Sequence, residues 1–184
     1  LDTTMTQRSV SNIKIYMDSR GYFNSSATYR IDTSSRRRAV VTYTTKQGQP
    51  YRIADIRYRF RDKFLEPIIL QDTAASLLHV GNVLDFTVLD NERSRISTRL
   101  RDNGYFNFTI NNILYEVDTT IGNHLANVTV DIRQNLTGYN DQGEPIMDNN
   151  TVYRLRRINI FPDFDPSIAR NDTNLLQRLD TLEY

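Results

Sequence analysis

The chain of 184 residues contains no cysteine and no tryptophan, and only two histidines, His79 and His124. Without cysteine it forms no disulfide, thiolate nucleophile, iron–sulfur cluster or cysteine-bound zinc site. The longest aliphatic run is Ile68-Ile69-Leu70, far below the roughly 18–20 apolar residues of a membrane helix. Gly-x-x-x-x-Gly-Lys, Gly-x-Gly-x-x-Gly, Gly-x-Ser-x-Gly and His-Glu-x-x-His are all missing, which removes the common nucleotide, hydrolase and zinc-protease signatures. Lysine is scarce as well. Nearly all of the 23 basic residues are arginine, which favours planar, bidentate contacts over diffuse charge. The formal net charge is +1, so neither a dedicated nucleic-acid binder nor a self-repelling disordered chain is indicated. The sequence opens at Leu1 with no leader pattern, and the expectation is an excised or processed piece.

Leu, Ile, Val and Phe make up about a quarter of the residues, enough for a packed core. They fall in a repeated pattern. Asp18-Ser19-Arg20-Gly21-Tyr22-Phe23-Asn24 returns as Arg101-Asp102-Asn103-Gly104-Tyr105-Phe106-Asn107, 83 positions later. A stretch with helical spacing precedes each copy: Val10, Ile13 and Met17 in one, Leu89, Ile96 and Leu100 in the other. Gly21 and Gly104 then sit where a helix needs a residue of positive φ beyond its last turn. Alternation follows each motif, with Ala27, Tyr29 and Ile31 in the first copy and Ile113, Tyr115 and Val117 in the second. Further strands are expected over residues 37–46 and 124–133.

A second match links Tyr51-Arg52-Ile53-Ala54-Asp55-Ile56 to Tyr153-Arg154-Leu155-Arg156-Arg157-Ile158. In both, the apolar parity skips a phase, the mark of a β-bulge or bend. A short helix is expected over residues 73–80, capped by Asp72 and stopped by Gly81, and Asp85 is placed to cap the long helix. The expected order is β-α-α-β-β over residues 50–134. Residues 1–49 form the C-terminal half of a like unit, residues 135–150 a linker, and residues 151–184 the start of another. The half unit lacks a first strand, which leaves an open edge near residues 39–45. Residues 152–161 of a second molecule carry a pattern compatible with it.

This arrangement resembles the POTRA domains of the BamA/TamA family of outer-membrane assembly proteins. The resemblance rests on Leu89-Asp90-Asn91-Glu92-Arg93-Ser94-Arg95-Ile96, Leu100-Arg101-Asp102-Asn103-Gly104-Tyr105-Phe106 and Leu77-Leu78-His79-Val80-Gly81. With Pro50-Tyr51-Arg52-Ile53 and the segment from Tyr153 to Pro166, it is most similar to the TamA-like branch of Bacteroidota. The resemblance implies an α+β fold, a three-stranded mixed sheet with two helices on one face. The last strand lies in the middle, and the strand after Gly-Tyr-Phe lies on an edge.

It further implies a non-enzymatic periplasmic arm without cofactor or metal, attached to the outer membrane through a C-terminal β-barrel. Its partners are unfolded or extended outer-membrane clients, other assembly subunits and that barrel, with no nucleic acid. Binding would be by β-augmentation along Asn112, Ile113, Leu114, Tyr115, Glu116 and Val117. Residues 27–32 form a comparable edge. The alternative is a rigid spacer that docks partner subunits and binds no client. Gly21, Tyr22 and Phe23, and Gly104, Tyr105 and Phe106, are expected to be structural: a helix stop followed by an aromatic wedge under the sheet. Arg57, Arg59 and Arg61 read as an outward strand face, and Arg36-Arg37-Arg38 as a solvated turn. His79 and His124 have no catalytic partner in sequence, and Asn140-Asp141-Gln142-Gly143-Glu144 lacks the carboxylates of a calcium loop.

Overall fold

The computed structural model describes residues 3–35, 38–162, 164–166, 174 and 182–183. Two compact units are present, Leu1–Thr151 and Val152–Tyr184. The first begins with helix α1 (Thr3–Ser19) and an antiparallel hairpin of β1 (Ser26–Ser35) and β2 (Arg38–Lys46). There follow β3 (Arg52–Phe60), α2 (Glu66–Gln71), α3 (Phe86–Asp102), β4 (Ile113–Asp118) and β5 (Leu125–Ile132). These five elements form an α+β module in the expected β-α-α-β-β order. The sheet order is β3-β5-β4, with β5 parallel to β3 and antiparallel to β4.

Strand parity explains the core. Val128, Val130 and Ile132 of the central strand lie opposite Ile56, Tyr58 and Phe60 on one side. On the other they lie opposite Val117, Tyr115 and Ile113. This face packs with Leu89, Ile96 and Leu100 of α3 and Leu65 and Ile69 at α2. Each fully buried Leu or Ile contributes roughly 2 kcal/mol. The parity skip is a bulge: Ile53 pairs with Ala126 and Asp55 with Asn127, which leaves Ala54 over.

Local signals set the helix ends. Asp85 Oδ1 accepts from Thr87 N at 2.8 Å and caps α3. At the other end Gly104 has φ 91°, Gly104 N donates to Arg101 O at 2.9 Å, and Tyr105 N donates to Leu100 O at 3.0 Å. The same double closure ends α1, with Gly21 at φ 85° and Tyr22 N donating to Met17 O at 3.0 Å. The two copies of the motif are therefore one stop signal used twice.

Several expectations are corrected. The short helix lies at Glu66–Gln71, begun by Pro67 in its first turn, not over residues 73–80. A single 3-10 turn, Thr73–Ala75, follows, and the Asp72 side chain caps nothing and pairs with Arg95. Residues 135–150 are more ordered than a linker: β6 (Asn135–Tyr139) and β7 (Pro145–Asp148) make a hairpin. Its turn is closed by Asn140 Oδ1, which accepts from Gln142 N and Glu144 N. Asn150 then anchors the exit, since fully buried Asp62 accepts from its main-chain N at 2.6 Å and its Nδ2 at 3.0 Å.

In the second unit, residues 152–158 carry no regular secondary structure. Among the described residues of this unit, β8 (Asn159–Ile160) alone pairs, with β9 (Leu182–Glu183), so the strand expected from Tyr153 onward is short and late. Nearly half of the expected further domain lies outside the described residues, as do Arg36 and Arg37.

Candidate polypeptide-binding edge

The three-stranded sheet has two outer edges, and they differ. The start of β3 is covered by its own chain: Ile53 N donates to Asn82 O, Gly81 N to Ile53 O and Leu84 N to Tyr51 O, at 2.8–2.9 Å. Among the described residues, no strand pairs with the outer edge of β4.

Register fixes which main-chain groups β4 offers. Arg133 N donates to Asn112 O at 2.8 Å, and Ile113 lies opposite Ile132. In an antiparallel ladder this phase turns the main-chain groups of Leu114 and Glu116 toward β5. Those of Ile113, Tyr115 and Val117 turn away from it. The Ile113 N–H closes the preceding 3-10 turn on Ile110 O. The outward donors are thus the N–H groups of Tyr115 and Val117.

Asn112 does not belong to this edge, contrary to expectation. It ends the 3-10 turn Ile110–Asn112 and is buried. Its Oδ1 accepts from Thr109 N at 3.0 Å, and its Nδ2 donates to Gln134 O and Asn135 Oδ1, both at 3.1 Å. It ties the start of β4 to the end of β5. The strand proper presents Ile113, Leu114, Tyr115, Glu116 and Val117.

Beside the open edge lies a groove of about 300 Å³ between β4 and α3, lined by Phe86, Leu89, Asp90, Arg93, Tyr115 and Val117. Tyr115 Oη donates to Leu89 O at 2.9 Å, which fixes the ring against the helix. Burial, and then the charge of Glu92, push the Tyr115 phenol well above its ordinary value, so it stays a neutral donor. The Arg93 guanidinium sits over that ring, 5.1 Å from its centre, and bonds Asp90 at 3.2 Å. Arg93 Nε is buried with no hydrogen-bond partner among the described residues. A groove of mixed lining and two outward N–H groups can hold an extended chain. Its main chain would pair with β4 and its alternate side chains would enter the groove. Sequence reasoning found the strand but missed Phe86 and Arg93. They share one helical face with Leu89 and Asp90, and that spacing was the available signal.

A buried ionic cluster ties α3 to the segment that precedes it, at Asp72, Ser76 and Leu77. Glu92, fully buried, accepts from Ser76 Oγ at 2.9 Å, Leu77 N at 2.9 Å and Arg95 Nη2 at 2.8 Å. Arg95 also reaches Asp72. Burial alone would raise the Glu92 carboxyl, but the bonds from Arg95, Leu77 and Ser76 outweigh it and hold the group below its ordinary value.

The other candidates resolve differently. Arg57, Arg59 and Arg61 each meet a carboxylate, on Asp55 at 2.7 Å, Glu116 at 2.6 Å and Asp131 at 3.3 Å. That is an ion-paired outer face rather than an anion site. In the first Gly-Tyr-Phe motif, Phe23 packs on Tyr51 and Phe86, with ring centres 5.1 and 6.0 Å away. In the second, Tyr105 is the buried ring, while Phe106 is 65% exposed and lies under Arg101. The aromatic wedge expected under the sheet is therefore Tyr105, not Phe106. The His124 ring stands edge-on to Tyr51 at 5.3 Å, and His79 is exposed in a turn. No cluster of metal-ligating side chains occurs among the described residues, and no helix among them is long and apolar enough to cross a membrane.

Fold and edge together define an α+β module in which the open edge of β4 lies beside a helix-lined groove. No protein-family model matches the chain, and no curated protein matches it. Among solved structures, POTRA domains 3–5 of BamA from Haemophilus influenzae are similar at 17% identity and a TM-score of 0.43, over 68% of this chain and 48% of that one. POTRA domains 1–3 of the periplasmic domain of Omp85 from Anabaena are similar at 16% identity and a TM-score of 0.35, over 69% of this chain and 49% of that one. The chain spans about half the length of these structures.

Proposed function

We propose that this chain is part of a periplasmic POTRA arm of an outer-membrane protein insertion or translocation machine. In this reading it binds extended segments of client or partner polypeptides along β4. The full protein would carry a membrane β-barrel, and residues 1–49, 50–134 and 151–184 would be successive parts of a domain array. The observation that carries the reading is the outward phase of Tyr115 and Val117 beside the groove from Phe86 to Arg93. Main-chain pairing is blind to side-chain identity, so one edge serves many clients. The family resemblance of the Gly-Tyr-Phe repeats supports the setting. The mechanism needs only binding and positioning, with no nucleotide or metal.

A photoreactive phenylalanine analogue in place of Phe86 tests it. Phe86 is 41% exposed at the groove mouth, so the analogue should crosslink to an unfolded segment of an outer-membrane β-barrel protein. The same analogue in place of Tyr139, exposed on the β6–β7 hairpin, should not. Absence of client adducts at position 86, with partner subunits still bound, would favour the rigid spacer.

A further inference from the structure

The arginine row of β3 acts differently at the two edges of the sheet. Arg61 reaches Asp131 on central β5, whereas Arg57 and Arg59 each hold an acid of an outer strand. Arg57 holds Asp55 of β3 itself, and Arg59 holds Glu116 of β4. Each of these two acids comes one residue before a main-chain N–H that points away from the sheet. What holds the acid therefore decides whether that donor is covered.

Register fixes the outward donors of β3. Arg52 N and Arg61 N donate to His124 O and Ile132 O of β5 at 2.8 Å. The strands run parallel, so main-chain groups alternate in direction along β3, apart from the bulge at Ala54. Those of Arg57, Arg59 and Arg61 face β5. Those of Ile53, Ile56, Tyr58 and Phe60 face away. The Ile53 N–H is taken by Asn82 O at 2.9 Å. Beyond it, no strand pairs with this edge among the described residues, and the next outward donor is Ile56. A side chain covers that donor. Asp55 Oδ1 accepts from Ile56 N at 3.0 Å, while Arg57 Nε donates to Asp55 Oδ2 at 2.7 Å. On β4 the acid is drawn the other way. Glu116 extends across β5 to Arg59 Nη1 at 2.6 Å, away from the outward Val117 N–H.

We infer that Asp55, positioned by Arg57, closes the β3 edge to extended polypeptides and so confines them to β4. A strand laid on β3 would meet, at its first available donor, an N–H that is already bonded. It would also meet a carboxylate whose charge opposes its own carbonyl oxygens, and one of those carbonyls would stay unpaired. Residues 81–84 cover the start of the edge with main chain, and Asp55 blocks the next donor with a side chain. The bulge at Ala54 adds local twist that further disfavours pairing. The inference deepens the reading of β4 as the binding edge by naming what selects that edge. It rests on that reading only for where a client goes, because closure is measured at β3 itself.

The test compares whole chains carrying Asp55→Ala, Asp55→Val or Asp55→Asn with the wild type. Alanine and the strand-favouring valine remove the acceptor, whereas asparagine keeps one. Without ligand, Ile56 amide exchange should quicken about tenfold in the first two and stay near wild type in the third. The probe is an extended peptide from one strand of an outer-membrane β-barrel protein. With it, the Ala and Val variants should gain protection at Ile56 and Tyr58, and the wild type and Asp55→Asn should gain none there. Circular dichroism should match in all four, and valine keeps the test decisive if alanine disturbs the fold. New protection at Ile56 and Tyr58 in these variants supports the inference whether or not Tyr115 and Val117 are protected. Failure at β4 alone thus counts against the client reading and leaves the closure of β3 standing. Protection at Ile56 in the wild type, or none at β3 in a folded Ala or Val variant at millimolar peptide, would overturn the inference. Equal behaviour of Asp55→Asn and Asp55→Ala would overturn it too.

Discussion

Arg20 Nη1 lies 2.5 Å from Asp85 Oδ2, and this pair joins the end of α1 to the start of α3. The other oxygen of Asp85 caps α3 through Thr87 N. Next to the pair, Gly21 O accepts from Tyr51 N at 2.8 Å, so the first Gly-Tyr-Phe turn docks on the strand of the complete module. Asp85→Ala should cost about 1 kcal/mol through the lost cap. Arg20→Ala keeps the cap, so global stability in urea should change little. Proteolysis between residues 20 and 25 should accelerate.

Gly21 and Gly104 share a backbone conformation but not a neighbourhood. A Cβ on Gly21 would come within 2.6 Å of Leu84 O, in addition to the strain of φ 85°. Gly21→Ala should therefore release the α1 hairpin from the module and leave residues 52–132 folded, which amide exchange can resolve by segment. Gly104→Val strains a left-handed position inside the module and should lower its stability by about 1 kcal/mol or more. An unchanged melting temperature in that variant would refute the cap.

Glu92 gives a pH dependence with a definite sign. Its folded carboxyl is held below the ordinary 4.5, because the bonds from Arg95, Leu77 and Ser76 outweigh burial. The stabilisation is complete above the unfolded value and is lost as pH falls through the folded one. Urea midpoints should be flat from neutral pH to about 5 and then decline. Glu92→Gln should flatten part of that decline. Glu92→Ala should cost about 3 kcal/mol at neutral pH, because it leaves Arg95 without its buried partner.

Proline separates the two faces of the β4 ladder. Glu116 donates toward β5, so Glu116→Pro should break the sheet and unfold the module. Val117 donates outward, so Val117→Pro should leave the circular dichroism spectrum intact and abolish client crosslinking at position 86. Comparable binding by the wild type and a folded Val117→Pro variant would place the client elsewhere.

The parts legible in the sequence were those set by short-range physics. Positive φ after a helix requires Gly21 and Gly104, a capping carboxylate precedes α3, and a parity skip marks the bulge at Ala54. The first short helix was misplaced because six residues from Glu66 to Gln71 are too few to show a period, whereas Leu77 and Leu78 offered a false apolar signal. The hairpin of residues 135–148 was hidden by its polar composition, since neither strand needs a buried face to pair. Asn112 reads as part of β4 in the sequence because a capping amide and a strand residue look alike without the turn around them. The spacing of Phe86, Leu89, Asp90 and Arg93 puts them on one helical face, but that this face lies beside β4 is a tertiary relation the local pattern does not encode.

Amide exchange of the chain with an extended outer-membrane β-barrel peptide tests the central claim most directly. The account predicts new protection at Tyr115 and Val117, with Leu114 and Glu116, already bonded to β5, unchanged. Protection that leaves Tyr115 and Val117 untouched while the peptide is demonstrably bound would contradict it.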